Sequence, residues 1–241
     1  MDLDKNTKII WLDQKCENLF KNAGLVKIED FMNAAAILDS SITKVMRKHS
    51  DKRGSGEIDR SVVRVCLNDT MFFIKQGSNN AYINITNEFD AVGFLPRFGL
   101  HPAELAGYAF DETNKSGFII LKNLDGFNSI NDMLNGNASP EAVDDFNARK
   151  ETILAKIASI IKKVHAAGYV YSDWFGKHIF IKPGCDDIAL IDLERFRPLS
   201  KCPWYFSVPI ASMLVKRKIL RKLTRSLKSE LIPEELIVKY F

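Results

Sequence analysis

Cysteine is scarce here and scattered. Cys16, Cys66, Cys185 and Cys202 are the only four in 241 residues, with no Cys-x-x-Cys pair and no histidine cluster beside them. Neither a disulfide framework nor a zinc site is expected from such spacing. Long apolar runs are missing too, and none approaches the ~20 uninterrupted residues of a membrane-spanning helix. The opening MDLDKNTKIIWLD carries early acids and lacks the basic, apolar and small-residue sections of a secretory leader, so a cytoplasmic location is expected. Charge of one sign does not dominate. With 34 Lys and Arg against 30 Asp and Glu, the net +4 is too mild to argue for a nucleic-acid partner, and none is expected. There is no internal repeat and no low-complexity tract. What the chain does hold is 46% hydrophobic residues, enough at this length for one sizeable core or for two lobes.

The chemistry concentrates between Tyr171 and Asp192, YSDWFGKHIFIKPGCDDIALID. Asp173 is followed five residues later by His178, which opens the apolar run His178-Ile179-Phe180-Ile181. A turn, Pro183-Gly184-Cys185-Asp186-Asp187, leads to a second apolar run, Ile188-Ala189-Leu190-Ile191, ending on Asp192. Phosphoryl transfer uses such a layout: one carboxylate orients the acceptor hydroxyl and takes its proton, and a later one at a strand end holds the metal that neutralises phosphoryl charge. In protein kinases the catalytic-loop Asp precedes a metal-ligating Asn by the same spacing. Two departures stand out. Tyr171-Ser172-Asp173 replaces His-Arg-Asp, and His178 replaces the Asn.

Asp173 together with the KHIFI run (Lys177 to Ile181) and IDLERFRP (Ile191 to Pro198) resembles the lipopolysaccharide kinases of the Kdo/WaaP type. Upstream, NAGLVKIEDFMN (Asn22 to Asn33) is similar to that family's N-terminal helix and turn. SVVRVCLNDTMFFIKQG (Ser61 to Gly77) is similar to its hairpin ending in the ATP-binding lysine, and NEFDAVGFL (Asn87 to Leu95) to its helix with a pairing glutamate. The resemblance covers roughly residues 22 to 198. It implies a protein-kinase fold, ATP and Mg2+ as co-reactants, and inner-core sugars of lipopolysaccharide as acceptors. It further implies Asp173 as the catalytic carboxylate, Asp192 and His178 as metal ligands, Lys75 as the phosphate-binding lysine and Glu88 as its ion-pair partner.

The order of elements agrees with an α+β chain of two lobes. Residues Ile42 to Ser50, Ser61 to Leu67 and Met71 to Lys75 read as strands, the last two forming a hairpin around Asn68-Asp69-Thr70. A helix is expected over Ala81 to Leu95, limited by Pro96, then strands over Ala103 to Phe110 and Gly117 to Lys122. This makes a small antiparallel-sheet N-lobe of residues 1–122. Gly54-Ser55-Gly56, with Lys52-Arg53 beside it, is placed to cover phosphates between the first two strands, although a plain flexible hairpin loop is an equal reading. Residues 123–241 form a mainly helical, reduced C-lobe of the same single domain. Ser139-Pro140-Glu141 starts its long helix with a serine cap, an N1 proline and a first-turn acid. Ile153, Ile157, Ile160, Ile161 and Val164 recur at helical spacing, and Gly168 closes the run just before the catalytic loop.

Ser172 stands where many protein kinases carry the arginine that grips a phosphorylated activation segment, and no Ala-Pro-Glu follows Asp192. Activation-loop phosphorylation is therefore not expected to control this chain. Its last feature is Lys216 to Lys228, where Leu220, Leu223 and Leu227 line one helical face among seven basic residues. Such a helix either lies on an anionic membrane surface or packs its leucines into the C-lobe with charges outside. On the membrane reading Lys218, Arg221, Lys222 and Arg225 serve the surface and leave the ATP site untouched. The expected function is transfer of the ATP γ-phosphate to a heptose or Kdo hydroxyl of the lipopolysaccharide inner core. The alternatives are a kinase acting on protein or another small molecule, and a pseudokinase or binding module without turnover.

Overall fold

The computed structural model describes residues 10–50, 58–201, 208–227 and 232–240. They fall into two compact units, one of Met1–Phe89 with Ala103–Leu124, the other of Asp90–Pro102 with Asp125–Phe241. In the first, β1 (Trp11–Leu12) precedes three short helices, α1 (Gln14–Asn22), α2 (Ile28–Met32) and α3 (Ala34–Ile37). Three strands follow, β2 (Thr43–Ser50), β3 (Ile58–Leu67) and β4 (Thr70–Ser78), then α4 (Tyr82–Phe94), β5 (Leu105–Asp111) and β6 (Ser116–Lys122). The six strands form one antiparallel sheet in the order β1-β5-β6-β4-β3-β2.

Period-two alternation decides what each face of this sheet does. Val63, Val65, Phe72, Ile74, Phe118 and Ile120 are buried together with Phe20 of α1, Leu25 of the connection that follows it and Phe31 of α2. Phe31 stacks on Phe118 with centroids 4.5 Å apart, and Phe20 meets Phe72 edge-on at 5.0 Å. Each such ring taken fully from water is worth about 1.5–3 kcal/mol. The β3–β4 turn is made at Asn68 and Asp69, both at positive φ (46° and 60°), the backbone twist that a two-residue hairpin needs and that these short polar side chains tolerate. On the other face α4 lays Phe89 against Tyr108 (4.6 Å) and Phe110 (5.1 Å). The glycine loop expected to cover phosphates, Gly54, Ser55 and Gly56, lies outside the described residues, as do Lys52 and Arg53.

After its Asp90–Pro102 segment the second unit continues with β7 (Asn128–Ser129), α5 (Ile130–Leu134) and the long α6 (Pro140–Ala166). Ser139 caps α6, its side-chain oxygen accepting from the Ala142 N–H, with Pro140 at the first position. Its apolar stripe, from Phe146 through Ile153, Ile157 and Ile161 to Val164, is buried in the unit's core. Then come β8 (Tyr169–Tyr171), the hairpin β9 (Ile179–Ile181) and β10 (Ile188–Leu190), β11 (Phe196–Pro198), α7 (Val208–Leu227) and α8 (Glu234–Tyr240). β10, β9 and β7 make one small sheet, and β11 pairs with β8. Arg149 of α6 donates to the Cys185 carbonyl at 2.8 Å and to the Asp186 carboxylate at 3.1 Å, tying the hairpin turn to the helix.

The described part of the basic stretch, up to Leu227, belongs to α7, and its leucines point inward. Leu223 and Leu227 are fully buried in the unit's core, and Leu220 packs against it. The apolar face that a membrane-inserted helix needs is thus already used. Arg217, Lys218, Arg221 and Arg225 are exposed. Among the described residues no helix is long and apolar enough to cross a membrane.

Candidate active site

In the first unit Lys75 Nζ lies 2.5 Å from Glu88 Oε1, with side-chain exposures of 11% and 1%. Only the residues between them in sequence connect strand to helix, and Gly77 explains how so short a link works. A Cβ on Gly77 would sit 2.7 Å from the Ala81 carbonyl and 2.8 Å from Ile85 Cγ1. The bare backbone lets α4 settle directly on β4. Ile85 and Glu88 are one turn apart on the same helical face, so the contact that Gly77 permits also delivers Glu88 to Lys75. Lys75 points to this α4 side because Phe72 and Ile74 take the opposite face of β4.

In the second unit β8 delivers the chain into Ser172, Asp173, Trp174 and Phe175, followed by a 3-10 turn over Gly176–His178. The loop is rigidly supported. Trp174 and Tyr171 are fully buried, and the Tyr171 hydroxyl donates to the Ile191 carbonyl at 2.9 Å, joining the loop to the segment that carries Asp192. His178 Nδ1 lies 3.0 Å from the Asp173 carbonyl. A carbonyl only accepts, so Nδ1 carries the proton and Nε2 keeps its lone pair. Nε2 faces Asp192 Oδ2 at 3.7 Å. Burial pushes the His178 imidazole below the usual histidine range, against smaller upward pulls from the Asp173 carbonyl and the Asp192 carboxylate. The neutral ring that metal ligation requires is therefore the favoured form.

Asp192 follows β10 by two residues and adopts the left-handed conformation (φ 59°, ψ 53°), which is uncommon outside glycine. The twist turns its carboxylate back toward His178. Two donors 3.7 Å apart, one nitrogen and one oxygen, fit a single divalent cation. Among the described residues no group of three His, Cys, Asp or Glu surrounds such a point. Magnesium sites in phosphoryl-transfer proteins have this sparse character, because phosphate oxygens and water fill the remaining positions.

Asp173 is buried, and its partners all converge on one oxygen. Oδ1 receives Lys222 Nζ at 2.7 Å, Arg195 Nη1 at 3.4 Å and the Ser172 hydroxyl at 3.4 Å. Among the described residues no hydrogen bond reaches Oδ2. Lys222 belongs to the stretch read from sequence either as membrane-facing, leaving the site untouched, or as packing its leucines into the C-lobe with its charges outside. The leucines of α7 do turn into the core, but neither reading expected Lys222 to leave the solvent and reach Ser172 and Asp173. Nothing in local sequence around Asp173 announces this contact, which spans 49 residues.

Of the residues picked from sequence, Lys75 and Glu88 meet in the first unit, and Asp173, His178 and Asp192 meet in the second. The six-stranded antiparallel sheet with its single long helix, and the helical unit with a loop carboxylate and a strand-end carboxylate, define a protein with a protein-kinase-like α+β fold. Residues 78–203 match the model of the lipopolysaccharide kinase (Kdo/WaaP) family, which is more than half of the chain. The chain belongs to that family, and by class it is a phosphotransferase. No curated protein matches it. Among solved structures it is similar to WaaP in complex with acyl carrier protein, at 15% identity over 96% of this chain and 86% of that one, with a TM-score of 0.60. It also matches the kinase PK-1 of Cydia pomonella granulovirus, at 16% identity over 73% and 62% of the two chains, with a TM-score of 0.45.

Proposed function

We propose that this protein transfers the γ-phosphoryl group of ATP to a sugar hydroxyl, of heptose or Kdo, in the lipopolysaccharide inner core. The observation that carries the reading is the state of Asp173: buried, held by cations, among the described residues, through Oδ1 alone, with its carbonyl on His178 of the His178–Asp192 pair. In this mechanism Asp173 Oδ2 accepts a hydrogen bond from the sugar hydroxyl and takes its proton as the oxygen attacks the γ-phosphorus. The bond to the bridging β–γ oxygen breaks, and ADP departs. Lys75 holds the α- and β-phosphates, and Glu88 keeps its ammonium extended toward them. His178 Nε2 and Asp192 would hold Mg2+, which when bound offsets the negative charge of the phosphates.

The exposed Arg217, Lys218, Arg221 and Arg225 of α7 support a second, weaker role at an anionic leaflet on the cytoplasmic side of the inner membrane. With the leucines of α7 buried, such attraction is electrostatic and does not involve insertion.

The deciding experiment incubates the purified protein with γ-labelled ATP and Mg2+ against dephosphorylated core oligosaccharide and, separately, generic protein substrates. Label is expected on the sugar, and loss of the label to phosphatase identifies a monoester. Label on protein alone moves the assignment to a protein kinase. Nucleotide binding with no transfer or hydrolysis moves it to a pseudokinase.

A further inference from the structure

Lys222 makes three contacts with the loop that carries Asp173. Its ammonium donates to the Ser172 carbonyl at 2.6 Å and to Asp173 Oδ1 at 2.7 Å, and lies 4.8 Å from the centre of the Phe175 ring. An ammonium has three protons and no acceptor capacity, so these contacts use it nearly completely. One turn further along α7, the Ser226 hydroxyl accepts from the Gly176 N–H at 2.5 Å. Gly176 itself is closely packed, since a Cβ there would come within 3.0 Å of Leu227 Cδ2 and 3.2 Å of Ser226 Oγ. Helix and loop are therefore held together on both sides of Phe175.

Arg195 also reaches Oδ1, but from 3.4 Å and with a side chain 56% exposed, whereas Lys222 is at 2.7 Å and 20% exposed. The lysine is the shorter and better desolvated of the two, so it dominates the field at the carboxylate.

We propose that Lys222, delivered by α7, is a positioning residue of the transfer reaction: its ammonium anchors Asp173 Oδ1 so that Oδ2 is presented to the acceptor hydroxyl. The inference rests on the proposed role of Asp173. It adds a second effect. A bare carboxylate beside the attacking oxygen repels an incoming anionic phosphoryl group, and a cation fixed on its far oxygen offsets that repulsion. Because the cation sits on a separate helix, the sequence beside Asp173 is free to carry the aromatic Phe175, over which the ammonium rests.

The test compares Lys222→Met, Lys222→Gln, Lys222→Arg, Asp173→Asn and the Asp173→Asn/Lys222→Met double variant in the core-sugar transfer assay, with a thermal melt of each. Loss of a charge-assisted hydrogen bond predicts a fall in kcat of about 10–100-fold in Lys222→Met and Lys222→Gln. The KM for ATP stays within about twofold, because the lysine addresses Asp173 and not the nucleotide. Lys222→Arg keeps the charge and recovers most of kcat. In the double variant kcat is no lower than in Asp173→Asn alone, because the lysine acts only through that carboxylate. Equal kcat in Lys222→Gln and Lys222→Arg, or additive losses in the double variant, overturns the proposal and leaves Asp173 its role. If Lys222→Met melts early, the Gln and Arg pair still decides, since both keep a polar stem. Wild-type turnover in Asp173→Asn removes the reading of the site itself, and this inference with it.

Discussion

Glu88→Ala isolates the buried ion pair of the first unit. At 2.5 Å and an effective dielectric of about 20, the Lys75–Glu88 attraction is ~7 kcal/mol, much of which offsets the removal of two charges from water. The net value of the intact pair is therefore small. Truncation is different: it leaves the Lys75 ammonium, 11% exposed, without its counter-charge, which costs about 3–5 kcal/mol. With a urea slope of roughly 1–3 kcal/mol/M, the denaturation midpoint falls by about 1 M or more. Lys75→Met should destabilise as well, because it removes the cation that faces the buried Glu88 carboxylate. The Lys75→Met/Glu88→Leu pair, which removes both charges, should recover most of the lost stability. Activity does not follow stability here. All three variants should lose phosphotransfer, because no ammonium remains fixed on the nucleotide phosphates. Urea denaturation followed by circular dichroism, beside the transfer assay, separates the two. An unchanged midpoint in Glu88→Ala refutes the buried pair, and turnover in the stable double variant refutes the phosphate role of Lys75.

Asp173→Ala should lower turnover by ~10²–10⁴ while nucleotide binding, followed by a fluorescent ATP analogue, stays nearly intact; a variant keeping more than about a tenth of wild-type rate removes the acid–base assignment. Asp192→Asn should abolish turnover and weaken Mg2+-dependent nucleotide binding, measured by calorimetry with and without the metal. His178→Asn, which substitutes an amide oxygen for the ring nitrogen, should retain more activity than His178→Ala; equal rates in the two mean that the side chain does not meet the metal. Leu223→Ala should cost about 2–5 kcal/mol in a denaturation curve, because that side chain is fully buried in the second core. Replacing Arg217, Lys218, Arg221 and Arg225 with glutamine should abolish binding to anionic vesicles, which in wild type should weaken as salt shortens the Debye length from ~8 Å; binding indifferent to salt excludes the electrostatic role.

The strands and the long helix were legible because their signals are local. Alternation between Ser61 and Lys75 and the cap at Ser139 predict β3, β4 and α6 from neighbouring residues alone. β8 and β11 were not, since each is only three residues long and exists through pairing with the other across the chain. The N-terminal strand β1 has the same origin, two residues recruited by the edge of β5. Its neighbour α1 shows a clear buried side at Cys16 and Phe20 only once the sheet beneath it is known.

For the site, the residue types and spacing of Asp173, His178 and Asp192 are written in one continuous stretch, and the sequence by itself determined that a loop carboxylate, an imidazole and a strand-end carboxylate would recur in that order. Only the tertiary structure decided their states. The proton on His178 Nδ1 depends on a backbone carbonyl, and the left-handed turn at Asp192 depends on the fold around it. The role of α7 is the clearest case. An amphipathic basic helix has the same periodicity whether its leucines meet lipid or protein, because the hydrophobic effect does not distinguish the two apolar surroundings. Once Leu223 and Leu227 are buried in the second core, helical geometry leaves Lys222 facing the Asp173 loop, and a residue that read as surface charge becomes, among the described residues, the closest cation to Asp173.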